Sequence, residues 1–318
     1  MPTPGCYIVD EMHPALMEGL EAAGIAYTYA SKATRAEVLA KLEGFAGIVV
    51  RSKLLLDAEL FAAAPALRWV ARAGAGTDNI DTAEAARRGI TILNAPEGNR
   101  DAVAEHCVGL LLALLNRIPQ ADAQVRQGLW LREANRGHEL GGKTVGLVGY
   151  GNMGRAFAKR LSAFGCRVLA YDKYLDTWPD TYAVPATMER LWDEADVLSL
   201  HVPLTAETRG LVDDNFLHRF ARPIWLLNTA RGEVLGLQAL SAALAEGKVL
   251  GAGLDVLETE NKLLATKALC EVKETLVRSE RVILTPHVAG WTVESYRRIS
   301  EVLLAKILHL VQQGSENL

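Results

Sequence analysis

Apolar and polar positions follow two successive rhythms along the chain, and each rhythm predicts a layer of parallel strands and helices. In the first hundred residues, short apolar runs at Tyr7–Asp10, Ile25–Tyr29, Gly47–Arg51, Leu67–Ala71 and Ile90–Leu93 read as strands. Between them apolar positions recur at helical spacing near 14–23, 34–42, 57–63 and 81–88, so this stretch forms a small α/β layer of its own. An apolar helix is predicted from Asp101 to about Gln127, followed by a polar stretch, Arg132–Gly142. A second alternation runs from Val145 to Leu284, with strands at 145–149, 167–171, 196–200, 224–228, 250–254 and 282–284. Strands separated by helices in this way match a doubly wound parallel sheet. A last helix, about 292–312, has no strand after it and is expected to return to the first domain. The predicted fold class is α/β with two domains. A Rossmann doubly wound parallel sheet takes 99–290, and a smaller flavodoxin-like α/β substrate domain takes 1–98 and 291–318.

The second rhythm opens on a glycine turn. Thr144 to Val148 reads as a strand, Gly149, Tyr150, Gly151, Asn152, Met153 and Gly154 as a turn, the next ten or so residues as a helix, and Arg167 to Asp172 as a strand ending in an acid. Gly149 permits a tight turn out of the strand, Gly151 lets the backbone approach a pyrophosphate, and Gly154 lets the helix pack closely. The helix N-terminus points N–H groups and its positive dipole end at phosphates. Asp172, eighteen residues past Gly154, is placed to accept hydrogen bonds from ribose hydroxyls.

Bulk properties narrow the picture further. The chain of 318 residues is long for one core, and its 50% hydrophobic and 23% charged residues suit a soluble globular protein. A net charge of -4 argues against a nucleic-acid surface. Cys6, Cys107, Cys166 and Cys270 show no metal-ligand spacing, so no metal is expected and the thiols read as reduced, in a cytoplasmic protein. The N-terminus has no basic segment leading into an apolar run, so no secretory leader is expected. The longest apolar run, Cys107–Leu115, is too short for a membrane and reads as a buried helix.

Ligands of a doubly wound sheet sit beyond the carboxyl ends of its strands. Polar residues follow predicted strands at Arg51-Ser52, Arg72, Asn228–Gly232, Leu254–Glu260 and Thr285–His287. Hydride transfer from a 2-hydroxy acid needs a proton acceptor, and histidine suits neutral pH. It also needs a cation for the substrate carboxylate and a carboxylate to orient the imidazole. His287, Arg231 and Glu260 satisfy those roles.

These residues lie in a series of blocks that resembles the D-isomer-specific 2-hydroxyacid dehydrogenase family. The blocks are Val50–Ser52, Ala73–Asn79, Asn94–Asn99, Val103–His106, the glycine turn, His201–Thr205, Leu227–Gly232, Gly253–Val256 and Thr285–Gly290, in the family's order across nearly the whole chain. The resemblance implies a catalytic set of Arg231, Glu260 and His287. It implies a cofactor site at Gly149–Gly154, Asp172, His201, Val202, Pro203, Thr208, Thr229, Ala230, His287 and Gly290, with Asp255 holding the nicotinamide carboxamide. The family usually has Glu-Pro in a proline-rich loop after the Asp-Val block, whereas Glu260 here precedes Asn261 and a charged, helical-looking stretch up to Arg281. Glu258 is therefore a rival for the histidine partner.

The carboxylate of Asp172 repels a 2′-phosphate, so NAD is the expected cofactor, although the neighbouring Lys173 softens that discrimination. Arg51, Arg72 and Arg132 resemble positions through which phosphoglycerate dehydrogenases hold a phosphate. The expected substrate is thus 3-phosphoglycerate, with glyoxylate, hydroxypyruvate or another short 2-keto acid as the alternative. The loop Ala73, Gly74, Ala75 and Gly76 is expected to offer N–H groups to the substrate carboxylate beside Arg231. By resemblance the 101–127 helix and Trp130 pack across a homodimer. His106 and His201 read as structural. A remoter alternative is an NADH-sensing corepressor-like protein, since such relatives share the glycine turn and the Arg–Glu–His set.

Overall fold

The computed structural model describes residues 5–260 and 266–316, which separate into two compact units, Met1–Asn99 with Thr292–Leu318, and Arg100–Trp291. In chain order the first unit begins with β1 (Cys6–Ile8), α1 (Pro14–Ala22), β2 (Tyr27–Tyr29), α2 (Arg35–Lys41), β3 (Gly47–Val50), α3 (Ala58–Ala62), β4 (Trp69–Arg72), α4 (Thr82–Arg87) and β5 (Thr91–Asn94). Short polar side chains start its helices. Thr34, Asp57 and Asp81 each accept an N–H three residues on, and Thr34 with Glu37 closes a capping box.

The strands pair in parallel in the order β2-β1-β3-β4-β5, the flavodoxin-like arrangement. Successive strand residues turn to opposite faces. Tyr7, Ile48, Val50 and Val70 pack with Leu42, Leu60 and Phe61 on one side. Cys6, Ile8, Val49, Trp69 and Ala71 pack with Leu16 and Leu20 on the other. Burial of both faces makes the strands read as unbroken apolar runs.

The chain continues through α5 (Pro96–Leu115), α6 (Ile118–Arg126), β6 (Thr144–Val148), α7 (Asn152–Leu161), β7 (Arg167–Tyr171), β8 (Val184–Pro185), α8 (Met188–Glu194), β9 (Val197–Leu200), α9 (Asp214–His218), β10 (Ile224–Asn228), α10 (Leu237–Ala245), β11 (Val249–Leu254), α11 (Lys267–Val277), β12 (Val282–Leu284) and α12 (Val293–Glu316). The last helix belongs to the first unit, where Ile299, Leu303 and Ile307 join the face of Cys6 and Ile8. The larger sheet is parallel in the order β12-β11-β10-β9-β6-β7-β8. Strand order reverses between β6 and β9, which creates the crevice where such sheets bind ligands.

Two elements differ from the expectations and a third agrees with them. The predicted helix 101–127 begins earlier, at Pro96, and breaks at Arg117, where φ is +53° and α5 and α6 diverge by 60°. Pro119 has no N–H to give to the carbonyl of Leu115, which accepts from His138 N at 2.9 Å instead. The short edge strand β8 was not predicted, because two residues show no periodicity and one of them is proline. In the stretch expected to be helical up to Arg281, α11 supplies the helix, and residues 261–265 lie outside those described.

Candidate active site

The glycine turn has the stereochemistry its sequence implies. Gly149 has φ +95°, and a Cβ there would lie 2.6 Å from the carbonyl oxygen of His201. A Cβ on Gly154 would lie 2.3 Å from the carbonyl of Gly149, so the close approach is between the first helical turn and the loop itself. Nothing lies within 4 Å of a Cβ on Gly151. That open side, next to the N-terminus of α7, which has no side-chain cap, is what a pyrophosphate needs.

Asp172, just past β7, is turned onto the turn: Oδ2 accepts Tyr150 N at 2.8 Å and Oδ1 accepts Tyr174 N at 3.0 Å. Each oxygen keeps a lone pair for a ribose hydroxyl. These features together fit a dinucleotide.

Several expected cofactor residues point elsewhere with their side chains. The Tyr150 ring is buried against Trp178, and its hydroxyl donates to Asp180 at 2.5 Å, so only its backbone belongs to the turn. His201 Nε2 sits 2.9 Å from Ser199 Oγ beside Phe157, and burial pushes its pKa down to about 4, which keeps the ring neutral. Thr208 Oγ1 donates to the carbonyl of Pro203 at 2.6 Å and braces the loop after β9. Thr229 Oγ1 lies 3.2 Å from Cys107 Sγ, while Ala230 N donates to Asn228 Oδ1 at 3.0 Å.

The second group of residues forms at the carboxyl ends of β10, β11 and β12. The buried Asn228 clips the turn after β10, donating from Nδ2 to the Arg231 carbonyl at 3.0 Å. A Cβ on Gly232 would collide with Leu257 at 2.1 Å, so glycine is what lets the Arg231 loop lie against the 257–260 segment. His287 follows β12 with φ +55°, and its N–H donates to Asp255 O at 2.8 Å. Its Nδ1 sits 2.9 Å from Glu260 Oε2.

Glu260 Oε1 in turn accepts Leu257 N at 2.7 Å. Glu258 instead accepts the N–H of Leu237 at the start of α10 at 3.2 Å. Of the two carboxylates, Glu260 is the one brought to the imidazole. Its hydrogen bond raises the His287 pKa, against burial and the positive charge of Arg231, which lower it. Burial pushes the Glu260 carboxyl up, but the bonds from His287 and Leu257 outweigh it and leave the net shift downward.

Asp255, at 2% exposure, accepts Thr285 Oγ1 at 2.5 Å and the N–H groups of Val288 and Ala289 at 2.9 and 2.8 Å. His106 Nε2 reaches the same Thr285 hydroxyl at 3.0 Å. Gly290 closes this loop, partly buried. Sequence reasoning did not foresee the parts played by His106 and Thr285, since they are 179 positions apart.

In the first unit Arg51 and Arg72 lie at the carboxyl ends of the adjacent strands β3 and β4, paired Val50 to Arg72. Asp10 Oδ2 accepts Arg51 N at 2.6 Å, and the Arg51 guanidinium lies 6.0 Å from the centre of the Tyr296 ring, which also meets His13 edge-on. The guanidinium of Arg72 folds against Gly74, where φ is +146° and a Cβ would meet Nη1 at 1.8 Å. Carbonyls of Gly74 and Ala75 are held by Ala95 N and Asn94 Nδ2 at 2.8 and 2.7 Å. Among the described residues the N–H groups of Ala75 and Gly76 meet no backbone acceptor. Arg132 stands on an exposed turn of the second unit.

The four cysteines are free, and burial pushes the Cys6 and Cys107 thiols up to about 12. Among the described residues no group of acids, histidines and cysteines has metal-binding geometry, and no single helix is long and apolar enough to cross a membrane.

The family model for "D-isomer specific 2-hydroxyacid dehydrogenase, NAD binding domain" matches residues 108–289. The chain is similar to a hydroxypyruvate reductase of Thermotoga maritima, at 38% identity over 82% of this chain and 83% of that protein. It is also similar to a D-3-phosphoglycerate dehydrogenase of Mycobacterium tuberculosis, at 37% identity over 94% of this chain but only 55% of that protein. The chain thus spans about half the length of the phosphoglycerate dehydrogenases it matches. Among solved structures it is similar to a D-lactate dehydrogenase from Aquifex aeolicus complexed with NAD and lactic acid, with TM-score 0.83, 27% identity, and coverage of 98% and 96% of the two chains.

Proposed function

Because the chain belongs to the D-isomer specific 2-hydroxyacid dehydrogenase family, we propose that it moves a hydride between NAD and D-3-phosphoglycerate. Membership carries the reaction class, an NAD(P)-dependent oxidation or reduction of a 2-hydroxy acid. The observation that supports the catalytic assignment is the His287–Glu260 contact of 2.9 Å, held at the sheet's carboxyl edge near the charge of Arg231.

With Nδ1 bound to Glu260, the other imidazole nitrogen, Nε2, is left for substrate. In the oxidative direction Nε2 takes the hydroxyl proton. Arg231 holds the carboxylate and steadies the oxygen as it becomes a carbonyl. Glu260 fixes the tautomer and stabilises the imidazolium that forms. The nicotinamide, when bound, supplies or accepts the hydride. Within the first unit taken by itself, the Ala75 and Gly76 N–H groups are donors suited to an anionic substrate group. The second lone pair of Asp255 Oδ2, which takes only Ala289 N from the described residues, would receive the carboxamide.

Two further features support NAD over NADP. Asp172 faces the ribose position, and Lys173, the cation that would attract a 2′-phosphate, is engaged by both oxygens of Glu207 at 2.9 and 2.7 Å. The phosphorylated substrate is supported by Arg51 and Arg72 on neighbouring strand ends, because a dianion needs several charged donors. A second reading, reduction of hydroxypyruvate, is favoured by the similar length and 38% identity of the Thermotoga maritima reductase. Homodimerisation is supported by the exposed Ile118, Val125, Leu129, Trp130 and Leu131, of which Leu129 lines a groove of about 560 Å³ that α5 and α6 help to form. The free thiols suit a cytoplasmic setting.

An assay with NADH and 3-phosphohydroxypyruvate, hydroxypyruvate, glyoxylate and pyruvate, repeated with Arg51→Gln and Arg72→Gln, decides the substrate. Selective loss of kcat/KM for the phosphorylated acid is the expected result. Equal effects on all four acids, with hydroxypyruvate the best, would establish the second reading. Sedimentation as a monomer would end the dimer proposal.

A further inference from the structure

His106 lies on α5, far in sequence from the residues of the reaction centre. In the fold its Nε2 sits 3.0 Å from Thr285 Oγ1, which sits 2.5 Å from Asp255 Oδ1. Counting protons sets the direction of both bonds. Asp255 already accepts two N–H groups, from Val288 and Ala289, so its carboxylate acts as an acceptor. The single hydroxyl proton of Thr285 therefore goes to Asp255, and Oγ1 turns a lone pair toward His106. Nε2 must then carry the proton it donates. The reverse polarity would leave two acceptors facing each other across 2.5 Å.

The same carboxylate clasps the loop that carries His287. Its side chain holds residues 285, 288 and 289, and its own carbonyl accepts His287 N at 2.8 Å. That loop needs holding, because His287 has φ +55°, a conformation few residues other than glycine adopt. His106 Nε2 lies 3.7 Å from Asp255 Oδ1, too far for a hydrogen bond, so its influence passes through the hydroxyl. Resting on the dehydrogenase reading above, we infer that His106 is a positioning residue. Its Nε2–H fills the lone pair that Thr285 Oγ1 keeps while donating to Asp255, fixes that hydroxyl in place and so steadies the loop that presents His287 to the substrate.

The test compares His106→Leu and Thr285→Val, which delete a member of the chain, with His106→Gln and Thr285→Ser, which keep a donor or the hydroxyl. Three quantities are read: kcat and KM with NADH and the best 2-keto acid, the thermal midpoint, and the NMR titration of the His287 ring without cofactor. His287 is otherwise faced by Glu260, Arg231 and Asp255. The deletions are expected to lower kcat about 10-fold with KM within about 3-fold, the pattern of lost transition-state alignment. The double deletion should be no worse than the stronger single one, since both cut one chain. Glutamine and serine should recover most of the rate. Thr285→Val, which takes one donor from Asp255, should move the His287 midpoint up, and His106→Leu, which leaves that donor in place but less well held, should move it up by less.

A His106→Leu protein with unchanged kcat and unchanged His287 titration overturns the inference. So do additive losses without recovery by glutamine, which would mark His106 as a packing residue of α5. If His106→Leu does not fold, Thr285→Val and His106→Gln carry the same comparison. If the wild-type protein turns over no 2-keto acid, the dehydrogenase reading fails, while the His287 titration still decides whether His106 governs that loop.

Discussion

The glycine turn and the imidazole loop stand on one sheet but are assembled in opposite ways. The turn draws on residues 149–154 and Asp172, and its shape follows from two side chains that are absent, at Gly149 and Gly154, while the missing one at Gly151 leaves its outer side open. The loop draws on α5, the turn after β10, the 255–260 segment and residues 285–289, and its shape follows from polar side chains that meet across the chain. The first is a feature of backbone stereochemistry, and small changes should abolish it as a whole. The second is a network to whose members the proposed function assigns separate parts, so single changes should alter rate, pH dependence or order separately.

The largest expected effect is on the network. His287→Gln should lower kcat by about 10²–10⁴-fold, the usual contribution of a general acid–base group, while NADH binding is retained. Loss of NADH binding together with turnover would blur the distinction between the two regions. Gly149→Ala should do the reverse and abolish NADH binding, because φ +95° and a 2.6 Å contact with the His201 carbonyl both oppose a Cβ. Its thermal unfolding should show a cost of about 1–3 kcal/mol.

Next comes the pH profile. The His287 pKa is raised by Glu260, so oxidation, which needs the neutral ring, should fail as pH drops through that raised value, and reduction should fail as pH rises through it. Glu260→Gln should move both limbs to lower pH, whereas Glu258→Gln should leave them in place and weaken only the start of α10. The stability linkage has a definite sign. A folded pKa above the unfolded one near 6.5 adds stability that is complete below 6.5 and lost as pH rises through the folded value. The smallest effect concerns the cofactor. Glu207→Gln frees Lys173 from an exposed ion pair and should raise the NADPH-to-NADH affinity ratio by about 3-fold, in line with the small energies of such pairs. An unchanged ratio in fluorescence titrations would leave Asp172 as the main determinant.

Much of the fold was legible because its signals are local. Strands buried on both faces wrote continuous apolar runs, and helix starts wrote Thr34, Asp57 and Asp81. Two features were missed. The break at Arg117 did carry a local signal, Pro119, which follows closely on the end of the apolar run Cys107–Leu115, whereas β8 is too short to show any period. At the site, spacing after predicted strands singled out His287 and Arg231, but both Glu258 and Glu260 follow β11 at plausible distances. The choice between them rests on which carboxylate the short helical turn over 258–260 directs at His287, and which it directs at α10.

By itself the sequence determined the order of strands and helices, the glycine turn and the acid that faces it, because these depend on neighbours within a few tens of residues and on what a missing Cβ allows. Only the tertiary structure decided that Glu260 and not Glu258 meets the imidazole, that the Tyr150 ring turns inward, and that His106 reaches Thr285. Hydrogen bonds require partners within about 3 Å in space, and the direction in which a side chain 27, 30 or 179 residues from its partner points is set only after parallel strands have been laid side by side.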